Sequence, residues 1–246
     1  MAYDAFAYAY DQALGERFFR SARRLLTRLL DQYPAVEKTH LDLACGTGLA
    51  MEFFAARGWN SVGVDASLPM LTVARRRTRR VVAADFRALP LRGPFTRITC
   101  LYDSLNHVRN RADLVAVFRG VQRVMSDQSL FFFDMNHPDI YPAVWGMKEP
   151  FVASGSGFHL EMATAFRRRD ATGLALISGW ALLPTGHRVE ISERQEQRAY
   201  SEREIVESLG EAGLVPVDVI DFDPFKDSDD LHAKGVKLFF VCRRKS

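Results

Sequence analysis

The sequence predicts an α/β fold, a doubly wound parallel sheet covered by helices on both faces, with a small antiparallel β subdomain inserted late in the chain. Three observations carry this. Between residues 39 and 135, short apolar runs alternate with segments of helical periodicity, the pattern of successive strand–helix units. The first run ends in Leu41-Asp-Leu-Ala-Cys-Gly-Thr-Gly48, a glycine turn leading straight into a helix. After Asp134 the periodicity falls to two, with turn signals between the runs.

Taken in order, residues 16–33 place Phe18, Phe19, Ala22, Leu25, Leu26, Leu29 and Leu30 at helical spacing, and Pro34 stops them. Residues 39–44 form the first strand and 49–57 the helix after the glycines. A second strand covers 61–65. Ser67 caps a helix over 68–77, and 81–85 is the third strand. The fourth strand is 95–102, followed by a helix over 111–125. Residues 129–135, with Phe131–Phe133 consecutive, read as a strand buried on both faces. Residues 158–168, 173–182 and 188–198 read as three antiparallel strands, separated by turns at Asp170-Ala-Thr-Gly173 and Pro184-Thr-Gly186. Ser201 caps a last helix, 202–211, closed by Gly213. Two final strands, 215–222 and 236–243, flank an acidic loop from Asp227 to Asp230. Residues 1–137 and 199–246 are therefore expected to form one domain, with 138–198 inserted as a lid.

Composition narrows the class. At 246 residues, 48% hydrophobic and 26% charged, the chain can bury a sizeable core. No apolar run reaches the roughly 20 residues of a membrane helix, and the first residues lack a secretory pattern. Cys45, Cys100 and Cys242 are an odd set without metal-ligand spacing, which predicts free thiols in a reducing cytoplasm. His40, His159, His187 and His232 show no ligand spacing either, so no metal is expected. Net charge is +3, and the arginine clusters at 75–80 and 167–169 read as solvated surface, which disfavours nucleic acid as a partner. No membrane association is expected, and the chain is expected to be a monomer or homodimer.

Glycines in the 41–48 turn let the chain reverse and let a ligand lie against bare backbone, while the helix amides attract an anion. The dinucleotide fingerprint requires Gly or Ala where this chain has Met51, and Asp42 would repel a pyrophosphate but suits an ammonium group. Residues 41–48 resemble motif I of the class I S-adenosylmethionine-dependent methyltransferases, and the likeness extends over most of the chain. It implies a Rossmann-like sheet of seven strands, mostly parallel, whose last strand inserts antiparallel, and S-adenosylmethionine as cofactor.

The resemblance assigns Asp65 to the ribose hydroxyls and Asp85, with the Phe86 amide, to adenine. Met70 would pack on the adenine face, although a core role fits Met equally. Ala44, Cys45, Gly46, Gly48, Ala66, Ala84, Leu101 and Tyr102 complete the expected cofactor wall. Residues 3–11 resemble the opening segment of small-molecule methyltransferases, including aminosugar N-methyltransferases, which would set Tyr10 over the sulfonium. Hydrophobic docking accounts for Phe6 and Tyr8 as well.

The loop after the fourth strand, Tyr102-Asp-Ser-Leu-Asn-His107, falls beside the expected methyl position. His107 is the candidate base, and Asp103 a candidate to steer an amine. A polar loop capping the next helix is the plain alternative. Asn106, Asn136 and His137 are candidate substrate contacts, with Trp145, Phe158, Trp180 and Arg198 as candidate walls of the lid. The chain is thus read as an enzyme moving a methyl group to nitrogen or oxygen of a small molecule. No Asn/Asp-Pro-Pro-Tyr motif follows the fourth strand, which weakens nucleobase or protein-amide methylation. RNA or another macromolecule as substrate, and a non-catalytic cofactor-binding partner protein, are the alternatives.

Overall fold

Strings of Val, Leu and Phe between glycine-containing turns set the strands of the main sheet, and the amphipathic segments between them supply the cover. The computed structural model describes residues 5–224 and 235–245; Tyr3, the 227–230 acidic loop and His232 lie outside the described residues. The elements are α1 (Phe6–Tyr10), which passes through a wide π-type turn at Asp11–Gly15 into α2 (Glu16–Gln32), then β1 (Thr39–Leu43), α3 (Leu49–Ala55), β2 (Asn60–Asp65), α4 (Leu68–Ala74), β3 (Val81–Ala83), β4 (Arg97–Cys100), α5 (Arg111–Arg123) and β5 (Leu130–Asn136). A second group follows: β6 (Phe151–Gly155), β7 (Phe158–Arg167), β8 (Thr172–Leu182) and β9 (Arg188–Arg198). The chain ends with α6 (Glu202–Glu211), β10 (Leu214–Phe222) and β11 (Lys237–Arg244).

The seven-stranded sheet has the order β10-β11-β5-β4-β1-β2-β3. Six strands, β1–β5 and β10, run in one direction, and β11 lies antiparallel between β5 and β10. Successive side chains of β5 point to opposite faces. Phe131 and Phe133 meet Phe118 of α5 and the Leu209 side of α6, while Phe132 meets the layer of Phe18, Leu25 and Phe53 from α2 and α3. The sheet is therefore covered on both sides, as predicted. β6–β9 form a separate antiparallel sheet. Its inner residues Phe158, Leu160, Ile177 and Ile191 pack on Phe6 and Ala9 of α1 and Met70 and Val73 of α4.

Differences from the expected elements have local causes. The fourth strand stops at Cys100 because Tyr102 and Asp103 take positive φ, 62° and 50°. The third stops at Ala83, since Asp85 accepts the Arg87 amide at 2.8 Å and starts a short 3-10 turn. The helix expected from residue 16 begins ten residues earlier, at Phe6, because α1 buries an apolar face under the second sheet. The edge strand β6 was not expected; most of its residues are exposed and carry no alternation to read. All three cysteines are free and buried. Among the described residues, no helix is long and apolar enough to cross a membrane.

Candidate active site

At the carboxyl ends of the parallel strands lies a cavity of about 1290 Å³, bordered by α1, the loops after β1 to β5, and the inner face of the second sheet. Ligand pockets run roughly 300–1,000 Å³, so this one has room for two molecules.

One end is built on backbone. Gly46 and Gly48 take φ of 53° and 87°, conformations that favour glycine, and a Cβ on Gly46 would meet nothing within 4 Å. Asp65 at the end of β2 splints this turn to the next loop: its Oδ2 accepts the Gly46 amide at 2.8 Å and its Oδ1 the Ser67 amide at 2.7 Å. Each oxygen keeps acceptor capacity, and the residue lines the cavity. Burial raises the pKa of Asp65 against the lowering effect of those two amides. Bare backbone, an acceptor pair and the apolar side chain of Met70 therefore share one wall, a donor set that fits an adenosyl group. Asp85 and Phe86 continue that wall, with Asp85 held below its usual range by the Arg87 side chain, which contacts it at 2.5 Å.

The N-terminal helix is fastened over this end. Thr47 Oγ1 donates to Asp11 Oδ1 at 2.5 Å, and Arg77 bridges Asp11 at 2.8 Å and the Thr47 carbonyl at 3.1 Å. Tyr10 is thereby set edge-on to Tyr102, ring centroids 5.8 Å apart, at the cavity wall. Burial, then its acidic neighbours and Tyr102, push its hydroxyl well above the ordinary range, so it stays a neutral phenol.

The other end is built on side chains. Asp134 Oδ1 and Oδ2 accept the amides of Tyr102 (2.6 Å) and Asp103 (2.9 Å), holding two consecutive left-handed residues that cost roughly 1–3 kcal/mol each. Lys237 reaches from β11 to Asp103 Oδ1 at 2.5 Å, Asn136 Oδ1 at 3.0 Å and Asp134 Oδ2 at 3.1 Å. Burial alone would lower the Lys237 pKa; the two carboxylates outweigh it and raise it. The Asp134 pKa is raised as well, pushed up by burial more than Lys237 pulls it down. Gln197 of β9 donates to Asp103 Oδ2 at 2.5 Å and sits 3.3 Å from His107 Nε2. The His107 ring lines the cavity, and desolvation there lowers its pKa beyond what Asp103 restores.

The cavity brings together Tyr10, Ala44, Gly46, Asp65, Ala66 and Met70, and with them Asp85, Phe86, Tyr102, Asp103, His107, Asn136 and Trp145. Other expected residues lie behind it. Asp42 is buried within the sheet and accepts Thr99 Oγ1 at 2.5 Å, and Thr99 in turn contacts His40; burial pushes Asp42 up to about 7 and His40 down to about 3. Asp42 thus belongs to a buried polar chain and does not line the cavity. Cys45 packs behind the turn toward Gly63, Gly48 packs on Ala74, and Ala84 and Leu101 join the core. Asn106 is buried, accepting the Asn136 amide and donating to the Arg198 carbonyl. His137 accepts the Asp139 amide, and Arg198 pairs with Glu204 over Tyr200. Phe158 is core, and Trp180 sits under Arg188. Sequence reasoning missed Lys237 and Gln197. The signal for Lys237 was a lone cation among Val236, Leu238, Phe239 and Phe240; for Gln197 it was an inward strand position. Among the described residues, no group of three or more His, Cys, Asp or Glu side chains could hold a metal.

Residues 41–128 match the family model described as a methyltransferase domain. A putative methyltransferase, YqeM, of Bacillus subtilis is 24% identical over 267 residues, covering 96% of this chain and 98% of that one. A dTDP-3-amino-3,6-dideoxy-alpha-D-glucopyranose N,N-dimethyltransferase of Streptomyces fradiae is 31% identical over 119 residues, 47% of this chain and 46% of that protein. The crystal structure of an S-adenosylmethionine-dependent methyltransferase from Clostridium acetobutylicum superposes with a TM-score of 0.82 at 24% identity, covering 98% of both chains.

Proposed function

We propose that this chain, a class I S-adenosylmethionine-dependent methyltransferase by its domain match and its strand order, methylates a nitrogen of a small amine. The observation that carries the proposal is the single cavity that runs from Asp65 to His107. When bound, S-adenosylmethionine supplies an electrophilic methyl group on a sulfonium, a good leaving group that needs little help from acids.

Asp65 is assigned to the ribose hydroxyls, Phe86 and Met70 to the adenine, and the Gly46 turn to the amino-acid tail, with Arg17 as a lining cation for its carboxylate. Tyr10 and Tyr102 present aromatic faces toward a cationic sulfur. The fastened α1 and the second sheet exclude water from the reacting groups.

Nitrogen is favoured by charge. Asp103 is the carboxylate that lines this end, and its oxygens can accept from a cationic amine beside their bonds to Lys237 and Gln197. An ammonium has no lone pair to attack with. His107, kept neutral by its lowered pKa, takes that proton on Nε2 and frees the lone pair. Part of each basic cluster is engaged within the fold: Arg77 pairs with Asp11 and Glu52, Arg76 lies over Tyr8, and Arg167 pairs with Asp170. The aminosugar dimethyltransferase likeness points to a small polar amine.

A panel of amino sugars, other amines, alcohols and phenols, scored by mass spectrometry for added methyl, tests the reading. Methylated amines are expected; transfer confined to hydroxyl groups would overturn it. His107→Ala should lower kcat about 100-fold or more and leave S-adenosylmethionine affinity by calorimetry within error. Equal loss in both would make His107 a structural residue.

A further inference from the structure

Gln197 is buried under the acceptor end, and its amide orientation is forced from two directions. Lys237 can only donate, so the Asn136 atom 3.0 Å from it is Oδ1. The Asn136 amide nitrogen therefore faces Gln197, at 2.9 Å, and the Gln197 atom that meets it must accept. The Tyr141 hydroxyl donates to the same Gln197 oxygen at 2.9 Å. From the other side, Asp103 is gripped by Lys237 and accepts, so the Gln197 atom 2.5 Å from its Oδ2 must donate. Both routes give one answer: Oε1 toward Asn136 and Tyr141, Nε2 toward Asp103 and His107.

That amide nitrogen has two hydrogens. One goes to Asp103, and the other points at His107 Nε2, 3.3 Å away, which must offer a lone pair. With Nε2 bare, the ring's proton sits on Nδ1, which is then the donor. One donor and one acceptor on the same ring describe a neutral histidine in a single tautomer. The charged groups around this ring are Asp103 from the loop after β4, Asp134 from β5 and Lys237 from β11. Beside them the side chain of Glu196 on β9 is taken by Arg109 and Arg194.

We propose that Gln197 is a positioning residue that sets His107 in the Nδ1–H tautomer and turns the Nε2 lone pair toward the Asp103 side of the cavity. At 3.3 Å this is the longest of the hydrogen bonds Gln197 makes here, so an incoming ammonium can take the amide's place. The proton then passes from the amine nitrogen to Nε2, which leaves a neutral amine and an imidazolium. This consequence for turnover rests on the methyl-transfer reading above; the tautomer itself does not.

The test reads the ring directly. In the full chain labelled with ¹⁵N-histidine, long-range proton–nitrogen correlation spectra above the titration of the ring give the tautomer, with the His107 signals assigned by their loss in His107→Gln. The wild type should show a protonated Nδ1 and a bare Nε2. In Gln197→Glu the side chain offers acceptors only, and Nε2 should gain the proton. Gln197→Met keeps the length and removes the donor, so the ring should become a mixture of tautomers; this variant carries the test should the Glu variant not fold. A wild-type ring protonated on Nε2, or a ring unchanged in the folded variants, overturns the proposal. With an amine from the panel, Gln197→Met should lower kcat about ten-fold with KM for S-adenosylmethionine unchanged. Failure to find any amine substrate would defeat the transfer reading and leave the tautomer result standing.

Discussion

The two ends of the cavity are made in different ways. At the cofactor end, Asp65 reaches an amide 19 positions back and another 2 positions ahead, and what it holds is backbone. At the acceptor end, Asp103 meets Gln197 across 94 positions and Lys237 across 134, and nearly every partner is a side chain. A site of the first kind is specified by a short stretch of chain and its glycines. A site of the second kind exists only once the sheet has closed, with β11 seated beside β5. It is also the more fragile, because a buried polar network with one member missing strands the rest.

That contrast sets the order of expected losses. Lys237→Met leaves Asp103 and Asp134 without their cation, and breaking a buried ion pair from one side costs about 3–5 kcal/mol. Chemical denaturation should show a loss of that size; a loss under about 1 kcal/mol would mean the network is not the brace described here. Asp65→Ala acts on the cofactor end and should weaken S-adenosylmethionine binding by about 1–3 kcal/mol, measured by calorimetry. Unchanged affinity would remove Asp65 from the ribose.

A further expected effect is a pH slope from Asp42, which belongs to neither end. Its carboxyl sits at about 7 in the fold against an ordinary value near 3.9. A raised acid keeps its proton in the folded chain while the unfolded chain has lost it. The stability contributed by this group is therefore full below about pH 4, falls as pH rises to about 7, and is level above. Asp42→Asn cannot titrate, so its stability relative to wild type should grow steadily over that window. Denaturation curves at pH 5 and pH 8 with the same difference between the two proteins would contradict the assignment.

The same division explains what could be read in the sequence. Strand–helix alternation and the Gly46–Gly48 turn are local, so the parallel sheet, its helices and the roles of Gly46 and Asp65 as wall residues were legible before any coordinates. Asp42 was misplaced because the motif shows a carboxylate near the glycines but not which face of β1 carries it; the register with β4 turns it onto Thr99. Arg198 was misplaced for a similar reason. It closes β9, and its neighbour Glu204 in α6 draws it away from the cavity. Asp103 and His107 could be placed at the cavity because they share one loop, whereas Lys237 and Gln197 reach that loop from β11 and β9 and carry no motif of their own.

The central claim is that a nucleoside cofactor and an amine meet in this one cavity, with Asp65 at the far end from His107. A crystal structure with S-adenosylhomocysteine and a methylated amine from the panel tests it most directly. The account predicts both ribose hydroxyls on Asp65, the sulfur beside Tyr10 and Tyr102, and the amine nitrogen within hydrogen-bond reach of His107 Nε2. An amine bound outside the cavity, or a ribose facing away from Asp65, would contradict it.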